Sequence, residues 1–376
     1  MLVEQYTWTA STQWQPQPPG TLPGAQWVLV FAGPEMLDSR TRALQEIREA
    51  YPEAQIVGCT TAGEIRNTQI LDHSLVVTAI EFQHSQVLCR QTPIDTQQSF
   101  QAGERLRQAF DLEGLRHLFV LAEGVDVNGS QLVAGLTRDL PAHINVTGGL
   151  SGDGERMTST RILCNGEVAS HRAVAVGLYG DRLEIGQGSL GGWDAFGPER
   201  LITRSEGNVL YQLDGQSALE LYKTYLGHHA DDLPAAGLLF PLTLRLGQTD
   251  GVVRTILGVD EASQSLIFAG DVPEGAYVRL MKANFNRLLD GAVGAAEVAA
   301  DGLSDSSDLA ILISCIGRRM ILKQRTEEEV EAVREVLGPH PILTGFYSYG
   351  EISPFAPNAK CELHNQTMTI TTLREH

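Results

Sequence analysis

A mixed fold, α/β grading to α+β, in two domains is what this sequence predicts, and three observations predict it. A glycine-bounded pattern occurs twice in full, as Gly58-Cys59-Thr60-Thr61-Ala62-Gly63-Glu64-Ile65 and as Gly345-Phe346-Tyr347-Ser348-Tyr349-Gly350-Glu351-Ile352. A looser copy, Gly148-Gly149-Leu150-Ser151-Gly152-Asp153, lies between them. Around each copy the order strand, helix, strand, glycine turn, strand recurs, and such recurrence marks a repeated architecture. Between the second and third copies lies a block of short apolar runs broken by turn residues, which is the pattern of an antiparallel sheet.

Taken in order, residues 1–24 are polar, with Pro16, Pro18, Pro19 and Pro23, and read as a lead-in segment that disfavours any long regular element. Trp27-Val28-Leu29-Val30-Phe31 is a continuous apolar run of strand length, suited to burial on both faces. Ser39 caps a helix to about Ala50, Pro52 follows it, and Gln55-Ile56-Val57 returns as a strand into the first turn. Leu75 to Ile80 is the next strand. In the second copy Leu118 to Leu121 is a strand, Ser130 to Leu140 a helix, and Ala173 to Val176 the strand after the turn. In the third, Leu309 to Ile313 is a strand ending at Gly317, Thr326 caps a helix to Leu337, and Thr367 to Leu373 closes the chain. The intervening block has strands at Leu183–Ile185, Val209–Leu213, Leu242–Leu244, Val252–Leu257 and Leu266–Phe268. It also has helices at Ser217–Tyr225 and Ala283–Ala300. The expected division is a proline-rich segment 1–24, a first domain 25–195 and a second domain 196–376.

Composition limits function. With 376 residues the chain is long enough for two cores, and 43% hydrophobic against 20% charged residues is ordinary for a globular protein. A net charge of −18 opposes an extended phosphate-binding face, so nucleic acid is not the expected partner. The sequence has neither an apolar run of membrane-spanning length nor a basic, then apolar, start, and it reads as cytoplasmic with no membrane insertion. Cys59, Cys89, Cys164, Cys315 and Cys361 are scattered without a C-x-x-C pair, which points to buried thiols instead of a zinc cluster or disulfide framework.

Several residues are candidates for chemistry. Cys315 near Arg318 reads either as a thiolate activated by the cation or as a buried structural cysteine. Arg318 and Arg319, at the end of a strand, suit a bidentate grip on a carboxylate, or an internal ion pair. Glu64, Asp153 and Glu351 follow the second glycines; they either bind turn backbone, receive a ligand's amine, or act as acid and base. His364 could ligate a metal, or hydrogen-bond turn backbone, while His228 and His229 read as solvated loop residues. Asp126-Val127-Asn128-Gly129 lacks the glutamate of a full calcium loop and reads as a turn leading into a helix cap.

These motifs resemble a known family. Val57–Ile65 and Gly148–Asp153 look like the hallmarks of the N-terminal FIST domain (F-box and intracellular signal transduction). Phe240-Pro241-Leu242, Phe268-Ala269-Gly270, Ser314–Arg318, Gly345–Pro354 and Glu362–Thr367 look like those of the C-terminal one. The likeness runs from about residue 25 to the end. It implies a cytoplasmic, non-enzymatic sensor of a small ligand that acts through a separate signalling protein such as a histidine kinase. One bacterial branch of the family binds haem and senses nitric oxide. By that resemblance His364 would be the axial ligand, Phe346, Tyr347 and Tyr349 the slot, and Arg318 or Arg319 the propionate partner. The expected ligand-binding set is Gly58, Thr60, Thr61, Gly63, Glu64, Gly149, Ser151, Asp153, Arg318, Phe346, Tyr347, Ser348, Tyr349 and Glu351. Without haem the ligand would be an amino acid or small carboxylate. An enzyme with Glu64 or Glu351 as base is the alternative.

Overall fold

The computed structural model describes residues 1–38, 41–245, 251–354 and 359–376, so the expected cap Ser39 lies outside the described residues. Three units of the same build carry the fold. In the first, Trp27–Ala32 pairs parallel with Gln55–Thr60 across the helix Arg42–Ala50, and Leu75–Glu81 lies antiparallel on its other side. The second repeats this with Leu115–Ala122, the helix Gly129–Thr137, Asn145–Leu150 and Arg172–Tyr179. The third does so with Leu309–Cys315, the helices Ile316–Leu322 and Thr326–Leu337, Ile342–Ser348 and Met368–Glu375. Every residue of Trp27–Ala32 and Leu309–Cys315 is buried, as expected of strands covered on both faces.

The units are interlocked in a cycle. The segment after the first turn, Glu64–Arg66, pairs with the third unit's strand at Thr344–Phe346. The segment after the third turn, Gly350–Pro354, pairs with the second unit at Gly148–Leu150, and Ile162–Cys164 of the second pairs with Val57–Cys59 of the first. A second set of exchanges runs alongside: Gln86–Pro93 joins the second unit's sheet and Leu183–Leu190 joins the third's. The equivalent strand for the first unit is Leu2–Thr9, paired with Leu75–Glu81. This corrects the expectation of an irregular lead-in, because the prolines begin only at Pro16 and leave eight residues free to pair. Leu183–Leu190 likewise belongs to the third unit's sheet and not to the antiparallel block.

The expected antiparallel block is an eight-stranded sheet running from Asp194–Glu206 to Tyr277–Lys282, around its own core of Ile202, Leu210, Tyr222, Leu242, Phe268 and Val278. Its helix Ala218–Leu226 is capped by the Ser217 hydroxyl, and Phe285–Asp301, after it, by the Asn284 side chain. Asn128 caps the helix Gly129–Thr137 by accepting from the Gln131 amide at 3.0 Å, as the cap reading of that turn expected. The helix Thr326–Leu337 begins instead with Arg325 as cap and Glu327, Glu328 and Glu329 in its first turn, where acids favour the helix dipole. Among the described residues no helix is long and apolar enough to cross a membrane.

Candidate functional site

The first glycine of each turn is fixed by a close approach. A Cβ at Gly58 would lie 2.0 Å from the Val30 carbonyl oxygen, at Gly148 1.9 Å from that of Val120, and at Gly345 1.8 Å from that of Leu312. The neighbouring parallel strand occupies that space in every unit, so these glycines are architectural. The turns then bond to one another in the same cycle as the strands. Gly152 N donates to Thr60 O at 2.9 Å, Ala62 N to Tyr347 O at 2.9 Å, and Tyr349 N to Leu150 O at 3.1 Å. They converge on these backbone hydrogen bonds.

The acids after the turns lock them. Glu64 accepts from the Thr61 hydroxyl, and from the Ser74 amide and hydroxyl at 3.2 and 2.8 Å. Glu351 repeats this with the Ser348 hydroxyl, and with the Thr367 amide and hydroxyl at 3.2 and 3.0 Å. Burial pushes the Glu64 carboxyl up to about 7 and that of Glu351 up to about 8, against the lowering effect of those bonds. Burial also opposes ionisation of Asp153, but the Tyr349 hydroxyl and the amides of Ser159 and Thr158 hold its carboxyl below the usual range.

A cleft of about 800 Å³ opens beside this ring of turns, where the first and second turns meet the third unit's helix Ile316–Leu322. Of the expected ligand set, Thr61, Gly63, Glu64 and Asp153 line it; the other expected residues do not. Gly58, Thr60, Gly149, Ser151, Ser348 and Glu351 are enclosed by the turns and strands. Phe346 packs on Phe31 in the core, with ring centroids 4.8 Å apart. Tyr349 bonds Asp153 beneath the surface.

The two arginines part company. Arg318 is fully buried, with Nε and Nη2 on Glu329 at 3.0 and 2.8 Å and further bonds to the carbonyls of Gly191 and Leu288. Tyr347 donates to the same Glu329 at 2.6 Å. The internal-pair reading therefore describes Arg318, which is closed to ligands. Arg319 reaches the other way, into the cleft, and grips Asp72 with two hydrogen bonds at 2.8 and 2.6 Å while donating to Ala62 O. Its guanidinium lies 5.6 Å above the buried Tyr347 ring.

Asp72, Arg156, Met320, Lys323 and Glu327 also line the cleft and were not singled out in the sequence. For Asp72 a signal existed: Asp72-His73-Ser74 stands just before a unit's last strand, as Asn365-Gln366-Thr367 does. His73 and Gln366 share a left-handed backbone, with φ of 54° and 64°. Glu35, Glu64, Asp72, Asp153, Glu155 and Glu327 face Arg156, Arg319, Lys323 and His73, so acids outnumber bases in the cleft.

The residues named for haem do not assemble a slot. His364 is enclosed, its Nε2 bonded to the Ser353 carbonyl at 2.8 Å, and burial pushes its imidazole pKa down to about 4. Phe346 and Tyr347 are core residues, and His364 does not line the cleft. Among the described residues no cluster of His, Cys, Asp and Glu is arranged to hold a metal. Burial drives the Cys315 thiol upward, which fits a structural cysteine and not an activated one.

Fold and site are those of an interlocked three-unit α/β protein with a polar cleft at the joint of its units. Family models identify it further: the FIST N domain matches residues 26–216 and the FIST C domain residues 218–354, so the chain belongs to the FIST family. Membership is consistent with small-ligand sensing in signal transduction. No curated protein matches the chain. Among solved structures, a cyanuric acid hydrolase from A. caulinodans is similar over 100% of this chain and 98% of its own, at 10% identity and a TM-score of 0.38, a likeness too distant to bear on the site.

Proposed function

We propose that the chain is a non-enzymatic sensor that takes a small zwitterion, such as an amino acid, into the cleft and passes its occupancy to a separate signalling protein, such as a histidine kinase. The observation that carries this reading is the Arg319–Asp72 pair. It spans from the third unit to the first across the cleft, and it is half open to water, with side-chain exposures of 24% and 53%. A zwitterion replaces this pair charge for charge: its carboxylate takes the two guanidinium hydrogen bonds and its ammonium takes Asp72, so neither charge is left alone. Release of Arg319 from Asp72 and Ala62 changes how the units are tied, which gives the ligand a differential hold on two states.

Isothermal titration across amino acids, small carboxylates and haem tests this. Amino acids are expected to bind and Arg319→Gln to weaken that binding about tenfold or more; binding by haem alone would replace the zwitterion with the haem reading. An enzyme with Glu64 as base has one observation in its favour, the carboxyl raised to about 7 at the cleft wall. Turnover of a bound compound that ceases in Glu64→Gln would establish that reading instead.

A further inference from the structure

Cys89 and Cys164 face each other where the first and second units join, their sulfurs 3.5 Å apart, and among the described residues they are the one pair of thiols in contact. The two arrive on exchanged segments. Cys89 lies on Gln86–Pro93, which follows the first unit and pairs with the second unit's Arg172–Tyr179. Cys164 lies on Ile162–Cys164, which follows the second turn and pairs with the first unit's Val57–Cys59. Both segments end their sheets: Gln86–Pro93 is the outermost strand of six, and Ile162–Cys164 with its hairpin partner Glu167–Ala169 closes one side of a seven-stranded sheet. The thiols therefore lie close to water, 8% and 5% exposed, next to the exposed Arg90, Gln91, Asn165 and Glu167.

A second observation is the cation held over the same two segments. Arg172 donates to Gln91 Oε1 at 2.9 Å and to Glu167 Oε1 at 2.7 Å. Gln91 stands two residues after Cys89, on the same face of its strand, and Glu167 is the register partner of Cys164 across the hairpin. The guanidinium thus bridges the two segments on the side where the sulfurs meet. The hydrogen bond from Cys89, and then this cation, lower the Cys164 thiol against the effect of burial, whereas the bond to Cys164 and burial raise Cys89. Negative charge therefore collects on Cys164, and the thiolate is the form that attacks an electrophile. Burial raises the thiols of Cys59, Cys315 and Cys361 instead.

We propose that Cys89 and Cys164 are a modification site, a dithiol that a hydroperoxide converts to a disulfide clasping the first unit to the second. The Cys164 thiolate attacks one peroxide oxygen; the S–O bond forms, the O–O bond breaks, hydroxide leaves, and Cys164 becomes a sulfenic acid. The Cys89 sulfur then attacks the Cys164 sulfur; the S–S bond forms as the S–O bond breaks, and the Cys89 proton leaves with the hydroxyl as water. The two sulfurs give up one electron pair between them and the peroxide takes it up. To bond, the sulfurs close from 3.5 Å to the about 2.05 Å of a disulfide, a movement of about 1.5 Å. Arg172 is a positioning residue that keeps the charge on Cys164. Neither cysteine lines the open cleft, so the site does not depend on what the cleft binds.

The test treats the full, reduced chain with hydrogen peroxide and counts its thiols after unfolding in denaturant. The pair accounts for two of the five cysteines, so five thiols should fall to three, and peptide mass mapping without reductant should join Cys89 to Cys164. Dithiothreitol should restore all five. The oxidised chain should melt at a higher Tm than the reduced one, because the cross-link joins residues 75 positions apart and restricts the unfolded chain. Cys89→Ser removes the second thiol, so peroxide should leave Cys164 as a sulfenic acid that dimedone traps, with no disulfide formed. Arg172→Gln should slow the oxidation and leave its end point the same. Five thiols surviving peroxide at a concentration that fully oxidises free dithiothreitol overturns the proposal, and this count on the wild type decides even if a variant fails to fold. A disulfide through any other cysteine, or a dimedone label elsewhere than on Cys164, overturns it equally.

Discussion

The first and third turns are built from one pattern and end in opposite settings. Thr61, Glu64 and Ser74 make the same set of bonds as Ser348, Glu351 and Thr367. Yet the first turn forms the wall of an open cleft, while the third is sealed, with Glu351 fully buried. The adjacent arginines repeat the contrast, Arg318 facing inward to Glu329 and Arg319 outward to Asp72. The motif therefore specifies a locked turn, and what covers the turn decides whether it meets a ligand.

The largest expected effect lies on the sealed side. Glu329→Ala leaves the Arg318 guanidinium buried without its counterion and strips a partner from the Tyr347 and Ser314 hydroxyls. Breaking a buried pair in this way costs about 3–5 kcal/mol. Urea unfolding measures it, and a loss below about 1 kcal/mol would put this pair in the same class as exposed ones and remove the contrast.

The turn acids give a smaller, pH-dependent effect. The folded-state pKa of each is raised, so its contribution to stability is present below the unfolded value and is lost as pH rises through the folded one. For Glu351 the window runs from 4.5 to about 8, and for Glu64 from 4.5 to about 7. Glutamine does not ionise, so Glu351→Gln should gain on the parent as pH rises, by on the order of 3 kcal/mol between about pH 5 and about pH 9. Glu64→Gln should gain less and level off earlier. Comparing the two pH dependences cancels the cost of the altered hydrogen bonds. Equal gains would mean that the open cleft does not ease the ionisation of Glu64.

Much of this build was legible in the sequence, because the repeat leaves its mark in local signals. Continuous apolar runs gave the buried strands, whereas the expected cap Thr326 is already the first residue of its helix. The partners of strands were not legible. Alternation and apolarity tell which faces are buried, but Leu2–Thr9 pairs with residues some seventy positions away, and nothing local in it names Leu75–Glu81. Leu183–Leu190 was assigned to the wrong sheet for the same reason. At the site, Thr61, Gly63, Glu64, Asp153 and Arg319 stood out beside the turns. Asp72 and Lys323 are ordinary loop residues until the fold brings them to the cleft. Phe346 and Tyr347 suggest a ligand's wall from their place in the motif, and burial makes them core instead.

The smallest effect on stability, and the most telling for function, belongs to Arg319. Its pair with Asp72 is bidentate but open to water, so both ions keep much of their hydration in either state of the pair. Arg319→Gln should therefore cost less than about 1 kcal/mol in urea unfolding, a fraction of the cost at Arg318 one residue earlier. Ligand affinity should respond in the opposite order. If the zwitterion replaces Asp72 on the guanidinium, loss of two charge-assisted hydrogen bonds lowers affinity by about tenfold or more. Asp72→Asn separates the two halves of the exchange: it frees Arg319 from its competitor but removes the acceptor for the ammonium. Amino acids should then bind more weakly and simple carboxylates more tightly, as calorimetry on the two ligand classes would report. A variant that weakens both alike would show that Asp72 only shapes the cleft, and the exchange of one ion pair for another would not be how the ligand is held.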